Sequence, residues 1–186
     1  MIPDARASAT SPGGWPVAPG DGEPLPPHMP DCMGCGPTAV AGYHLEVRRR
    51  GQEAVATYMF DSAHAGGPGL AHGGAVSAVC DDLLGHVLAI YEVPAVTRRL
   101  EVDYLAPVLL HEPHQLAARL IERDGRKCWV EGEATGPDGR VRFTARGLFV
   151  QVGLEHFLAG LSPEERARAE LVYGPRGEDE TPVSAP

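Results

Sequence analysis

His64–Gly85, HAGGPGLAHGGAVSAVCDDLLG, decides how this chain folds. A Gly/Pro turn runs into His72-Gly73-Gly74, and an unbroken helical pattern follows from Gly74 to about Tyr91, with Pro94 helping to end it. Val76, Cys80, Leu83, Val87 and Ile90 recur at helical spacing and form one apolar stripe that must be buried. Gly74, Ala78, Asp81, Gly85 and Leu88 form a second stripe, with small residues on both sides of a carboxylate. Small neighbours leave room for a ligand or a partner subunit beside Asp81. The glycine pair opening the helix offers unpaired backbone N–H groups with the positive end of the dipole behind them. Such a place suits an oxygen that gains negative charge during a reaction.

Outward from the helix, the pattern is that of strands. Upstream, TAVAGYHLEVRRR and QEAVATYMF read as strands joined by a turn at Arg50-Gly51. Downstream, strands are expected at about 96–105, 114–123, 126–135 and 140–152, with hairpin turns at Asp124-Gly125 and Pro137-Asp138-Gly139. Leu100, Val102 and Tyr104 alternate with charged residues, as in a sheet with one wet face. SPEERARAELV reads as a final helix capped by Ser162, with Pro163 at its first position. The class is therefore α+β: a single domain whose antiparallel sheet wraps around one long central helix. Residues 1–30 read as a flexible Pro/Gly-rich arm, mobile or draped over the domain. The domain is set at 31–153, the helical extension at 154–174 and an acidic, disordered tail at 175–186.

Composition removes several function classes. A net charge of −9 over 186 residues disfavours nucleic acid as a partner, while leaving room for a small anion held by local Arg and Lys. The start, MIPDARASATSPGGWP, lacks the basic and apolar regions of a secretory signal. No apolar run approaches the ~18 residues of a membrane span. Four cysteines are too few for a disulfide scaffold, which points to a reducing cytoplasm.

The candidates differ in chemistry. Asp82 is rotated ~100° from Asp81 around the helix and is placed to pair with His86 at i+4, as a surface pair. Cys32 and Cys35 have zinc-like spacing, but the sequence shows no second close pair of ligands, so a simple turn and no metal are expected. The GGPGLAHGG loop lacks the Gly-Lys-Ser/Thr ending of a phosphate loop and does not match GxGxxG. Gly73 and Asp81 lie eight residues apart, so ~12 Å along the axis at 1.5 Å per residue. One helix struggles to bring both to the same reacting carbonyl. An antiparallel partner helix would set Gly73 of one subunit opposite Asp81 of the other, which makes a homodimer with two shared sites the natural unit.

The chain resembles the hotdog-fold acyl-CoA thioesterases, in the phenylacetate-pathway-like branch of the 4-hydroxybenzoyl-CoA thioesterase superfamily. The likeness runs over roughly residues 32–152. It rests on the turn Cys32-Met33-Gly34-Cys35-Gly36, the loop Gly67-Pro68-Gly69 leading to His72-Gly73-Gly74, and an acid nine residues after His72. It also rests on Thr97, sixteen residues beyond that acid, and on LEVDYLAPV in the following strand. The resemblance implies hydrolysis of an acyl-CoA thioester to a free acid and coenzyme A without a cofactor. Asp81 would be general base or nucleophile, the Gly73 amide would polarise the carbonyl, and Thr97 would orient water. His72 would shape the helix start, and His72, Gly74 and His64 would border the substrate. Arg126 and Lys127, with Arg99 beside Thr97, are the cations expected to meet the coenzyme phosphates. The assembly implied is a homodimer or homotetramer. Two alternatives remain open: a non-catalytic acyl-CoA binder on the same fold, and a hotdog dehydratase acting on acyl-carrier-protein substrates, for which only His72 and His86 are candidates.

Overall fold

The computed structural model describes residues 17–167. In chain order its elements are β1 (Arg48–Arg50), β2 (Glu53–Met59), a single 3-10 turn (Ser62–His64), β3 (Ala65–Gly67), β4 (Leu70–Ala71) and α1 (Gly73–Ile90). There follow β5 (Ala95–Tyr104), β6 (Pro113–Asp124), β7 (Lys127–Thr135), β8 (Val141–Gln151) and α2 (Leu154–Leu158). Six strands form one antiparallel sheet in the order β1-β2-β6-β7-β8-β5, and β3 and β4 make a small separate hairpin. The chain crosses from one edge of the sheet toward the other through α1, so the sheet curls around that helix. This is the hotdog arrangement.

The predicted stripe is the buried one. Val76, Cys80, Leu83, Val87 and Ile90 are all buried, together with Val79 and Leu84. Leu84 is fully enclosed, and two strand glycines make the room for it. A Cβ at Gly132 would stand 3.0 Å from one Leu84 methyl, and a Cβ at Gly147 would stand 3.1 Å from the other. Those glycines lie on the neighbouring strands β7 and β8, where the sheet meets Leu84. Leu84→Ala should lower stability by roughly 2–5 kcal/mol, since a fully packed site leaves a cavity. Denaturant unfolding measures it.

α1 is 18 residues long with a mean hydropathy of 1.3, long and apolar enough by those measures to cross a membrane. It is instead 61% buried inside the protein and carries Asp81 and Asp82, which marks it as a core helix. The second stripe is exposed at Gly74, partly open at Ala78 and Asp81, covered at Gly85 by the His28 ring, which a Cβ there would meet at 3.1 Å, and buried at Leu88.

Two boundaries differ from the sequence reading. The expected first strand at 38–50 shrinks to Arg48–Arg50, because the chain turns repeatedly through 37–41 and His44 takes a positive φ of 50°. Leu45 and Val47 are nevertheless buried, so their apolar spacing reflects burial outside the six-stranded sheet. The arm assigned to 1–30 is also too long. Ala18–Val152 is one compact unit, and Leu25 is a core residue. Its amide donates to Val47 O at 2.8 Å, while Gly22 N and Arg49 N bond to Arg49 O and Glu23 O at 2.8 and 3.0 Å. Residues 20–25 thus serve as a cover for the edge of β1, which composition alone does not reveal.

The expected start of the final helix is present. Glu165 N donates to Ser162 Oγ at 3.3 Å and Ser162 N to the Glu165 carboxylate at 2.8 Å, with helix from Pro163. The rest of that helix, the tail and residues 1–16 lie outside the described residues.

Candidate functional site

Asp81 sits at the middle of the open stripe of α1, and Thr97 reaches it from β5, the strand that follows the helix. Thr97 Oγ1 donates to Asp81 Oδ1 at 2.9 Å. Burial disfavours the charged carboxylate and raises the Asp81 pKa, against the opposing hydrogen bond from Thr97. The result is a carboxylate held in place, half-buried and a better base than an ordinary aspartate.

The helix start is built by His72. Its Nδ1 accepts the Gly74 N–H at 2.9 Å, so the ring caps the helix, as the sequence reading expects. That cap occupies the Gly74 amide, which leaves Gly74 a structural part. Gly73 is the first helical residue, and its N–H bonds to no described residue. Beside it lies a group that the sequence reading placed only in the sheet. Tyr104, at the end of β5, donates its hydroxyl proton to Gly73 O at 2.7 Å. Ser77 Oγ lies 2.8 Å from the Tyr104 hydroxyl oxygen and must then donate to it. Tyr104 is about half exposed (51%) and fixes the peptide on the far side of the candidate donor. The sequence signal for it was weak: a lone aromatic at a strand end.

His64 is placed differently from expectation. Its Nδ1 accepts the Asp61 N–H at 3.1 Å, its ring stacks on Tyr43 at 5.0 Å, and its carbonyl accepts the His72 N–H at 2.7 Å. Its visible role is to hold the loop that presents His72.

The cations divide. In the register of the sheet Val96, Val150 and Lys127 form one row, and Thr97, Phe149 and Cys128 the next. Lys127 therefore lies two strand spacings, about 9–10 Å, from the Thr97 end of β5. Arg126 and Lys127 are exposed there, just past the Asp124-Gly125 turn where Gly125 takes a φ of 55°. Arg98 stands at an irregularity of the β5–β8 register, between Thr97 and Arg99. Arg99 is already paired with Glu101 on its own strand.

Asp82 corrects the sequence reading. It is buried, not a surface residue, and its partners come from the segment before β1 and from its own helix. His28 Nδ1 lies 3.1 Å from Asp82 Oδ1, Cys32 Sγ donates to the same oxygen at 3.5 Å, and His86 Nδ1 lies 3.5 Å from Oδ2. Burial opposes charge on both Asp82 and His28. The contact between them outweighs it, lowering the carboxyl and holding the imidazole well above its usual range. His86 is fully buried, bonds to its own helix at Asp82 O (2.8 Å), and is pushed down to about 4 by burial and the His28 charge. Both histidines that a dehydratase would need, His72 and His86, are thus committed to structural contacts.

The sequence pattern of the Thioesterase superfamily matches residues 68–142, which take in the helix, Thr97 and most of the sheet. Among solved structures, a crystallised thioesterase superfamily protein is 29% identical with a TM-score of 0.59, over 62% of this chain and 60% of that one. The chain thus spans less than two thirds of that relative. A hypothetical thioesterase from Streptococcus pneumoniae TIGR4, solved with coenzyme A, is 22% identical with a TM-score of 0.55, over 59% of this chain and 86% of that one. The PaaI protein of the E. coli phenylacetic acid degradation operon is 16% identical with a TM-score of 0.56, over 60% and 81%. At those last two identities the likeness is one of fold. The matched pattern, the helix wrapped by its sheet and the 29% relative agree in likening this chain to the thioesterase superfamily.

Proposed function

We propose that this protein hydrolyses acyl-CoA thioesters, with Asp81 as the group that activates water or attacks the carbonyl. The observation that carries this reading is the Asp81–Thr97 pair on the open, small-residue face of α1. The free Gly73 amide, at the positive end of the helix, would polarise the carbonyl. With Gly73 and Asp81 ~12 Å apart on one straight helix, each site would draw the amide from one subunit and the acid from its partner. Among the described residues, ten-residue β5 is an edge strand paired with β8 alone, a surface suited to pairing with another chain. In the S. pneumoniae thioesterase, an aspartate and a threonine sixteen residues later were each replaced by alanine for crystallography. Asp81 and Thr97 share that spacing. Arg126 and Lys127 would receive the coenzyme phosphates, and the spacing of His72-Gly73-Gly74 to Asp81 would place the chain in the phenylacetate-pathway-like branch.

A panel of aliphatic and aromatic acyl-CoAs, with thiol release as readout, tests the activity. Turnover of at least one class is expected. Clear binding without turnover of any would instead make the protein an acyl-CoA binder.

The raised Asp81 pKa sets the pH dependence. The reactive form is the carboxylate, so kcat/KM should fall as pH drops through the raised value, above the ordinary range of an aspartate. An acid limb at or below the ordinary range would remove Asp81 from that role.

Replacing Arg126 and Lys127 together with Ala should raise KM for coenzyme A esters roughly three- to tenfold, at up to about 1 kcal/mol per exposed charge pair. Thioesters lacking the nucleotide should be nearly unaffected, and added salt should shrink the difference. Equal effects on both substrate types would move the coenzyme channel elsewhere.

A further inference from the structure

The sequence reading set zinc aside because Cys32 and Cys35 had no second pair of ligands. The fold brings other ligand types to them. His28 precedes Cys32 by four residues, and Asp82 arrives from the middle of α1. His28 Nδ1 lies 3.4 Å from Cys35 Sγ and 3.1 Å from Asp82 Oδ1, while Cys32 Sγ lies 3.5 Å from that same oxygen. Ligand atoms of His28, Cys35, Asp82 and His86 all fall within 4.8 Å of one another. A tetrahedral zinc ion with bonds of about 2.0–2.3 Å spaces its ligand atoms by about 3.3–3.8 Å, close to these separations.

Three further features suit a metal. Backbone N–H groups reach both sulfurs, Cys32 from Gly34 and Cys35 and Cys35 from His28 at 3.2 Å. Asp82 Oδ2 is buried without a hydrogen-bond partner among the described residues. Gly34 is needed for the approach, since a Cβ there would stand 2.2 Å from the Asp82 carboxyl.

We infer that His28, Cys32, Cys35 and Asp82 form a structural zinc site that joins the segment before β1 to the central helix. His86 stands behind it. Its Nδ1 is already engaged by Asp82 O, so it steadies the Asp82 carboxylate as a second layer of contacts. Four protein ligands close the ion to substrate, so its task is to hold residues 28–35 against α1. Zinc would enter as the two thiols release their protons. The site is independent of the hydrolase reading.

The test uses the full chain, freed of any affinity tag, purified without chelator and equilibrated with zinc chloride. Plasma mass spectrometry, and zinc release to a colorimetric chelator on mercurial treatment, should give roughly one zinc per chain. Cys32→Ser with Cys35→Ser should reduce this below about one tenth, whereas Asp81→Asn should leave it unchanged. Cobalt loaded into the unsubstituted protein should show thiolate charge-transfer and tetrahedral d–d bands, a readout that stands even where the double variant fails to fold. A folded, unsubstituted protein that binds neither zinc nor cobalt would overturn the proposal. So would full zinc in a folded double-serine variant.

Discussion

Asp81→Asn should lower kcat by about 10²-fold or more while the protein remains folded. The change is nearly isosteric, and Asn retains an oxygen to accept the Thr97 hydroxyl. What disappears is the charge that, in the proposed function, draws a proton from water or attacks the carbonyl. Stability should not suffer. The folded pKa of Asp81 is raised, so the fold favours its protonated form, and that contribution is lost as pH rises through the folded value. At neutral pH the ionised group therefore costs stability, and Asn removes the cost. A variant with lost activity and an unchanged or slightly raised melting temperature is expected. Asp82→Asn should behave in the opposite way, because it breaks a buried contact with His28: less stable, with activity following the folded fraction. If Asp82→Asn abolished turnover in a fully folded protein while Asp81→Asn did not, the catalytic register on α1 would be wrong.

A bulky residue at Gly73 should be equally damaging by another route. A Cβ there would stand 3.3 Å from the Tyr104 hydroxyl, so valine must push aside the group that anchors the first turn of α1. Loss of one oxyanion donor costs about 10²–10³ in kcat. In the shared-site arrangement, Gly73→Val and Asp81→Asn each spoil both sites of a homodimer. A mixed dimer would hold one site with both defects and one with neither. Refolding the two inactive variants together should therefore restore activity, up to one working site per hybrid. Hybrids confirmed by mass yet as inactive as their parents would sink the shared-site geometry. Should Gly73→Val fail to fold, Gly73→Ala serves in its place, since its Cβ meets the same Tyr104 hydroxyl at 3.3 Å with less added bulk.

The central helix was readable because its cause is local. Val76, Cys80, Leu83, Val87 and Ile90 repeat at helical spacing, and residues of that type at that spacing gain most by turning one face to a core. The four long strands after it were readable for the same reason, with turn chemistry at Gly125 and Gly139 marking their ends. Asp81 and Thr97 could be nominated because the family resemblance carries their sixteen-residue spacing. The structure brings them to 2.9 Å.

Other features depend on which distant segments the fold brings together. The segment TAVAGYHLEV looks like a strand because its apolar residues alternate, yet alternation reports burial and leaves open whether a neighbour supplies hydrogen bonds. Residues 20–25 look like a loose arm because they are rich in Pro and Gly, yet Leu25 finds a place in the core once β1 exists to receive it. Tyr104 reads as one more sheet residue until the end of β5 is laid beside the first turn of α1. Asp82 shows the limit most plainly. A helix places it next to Asp81, and sequence separation makes the two look alike. Only packing decides that one faces an open surface and the other faces His28, Cys32 and Cys35. Local propensity and spacing thus determine the helix, the strands and the stripe that carries Asp81. Burial, charge state and ligand sets belong to tertiary structure, because they depend on atoms that meet across fifty residues of chain.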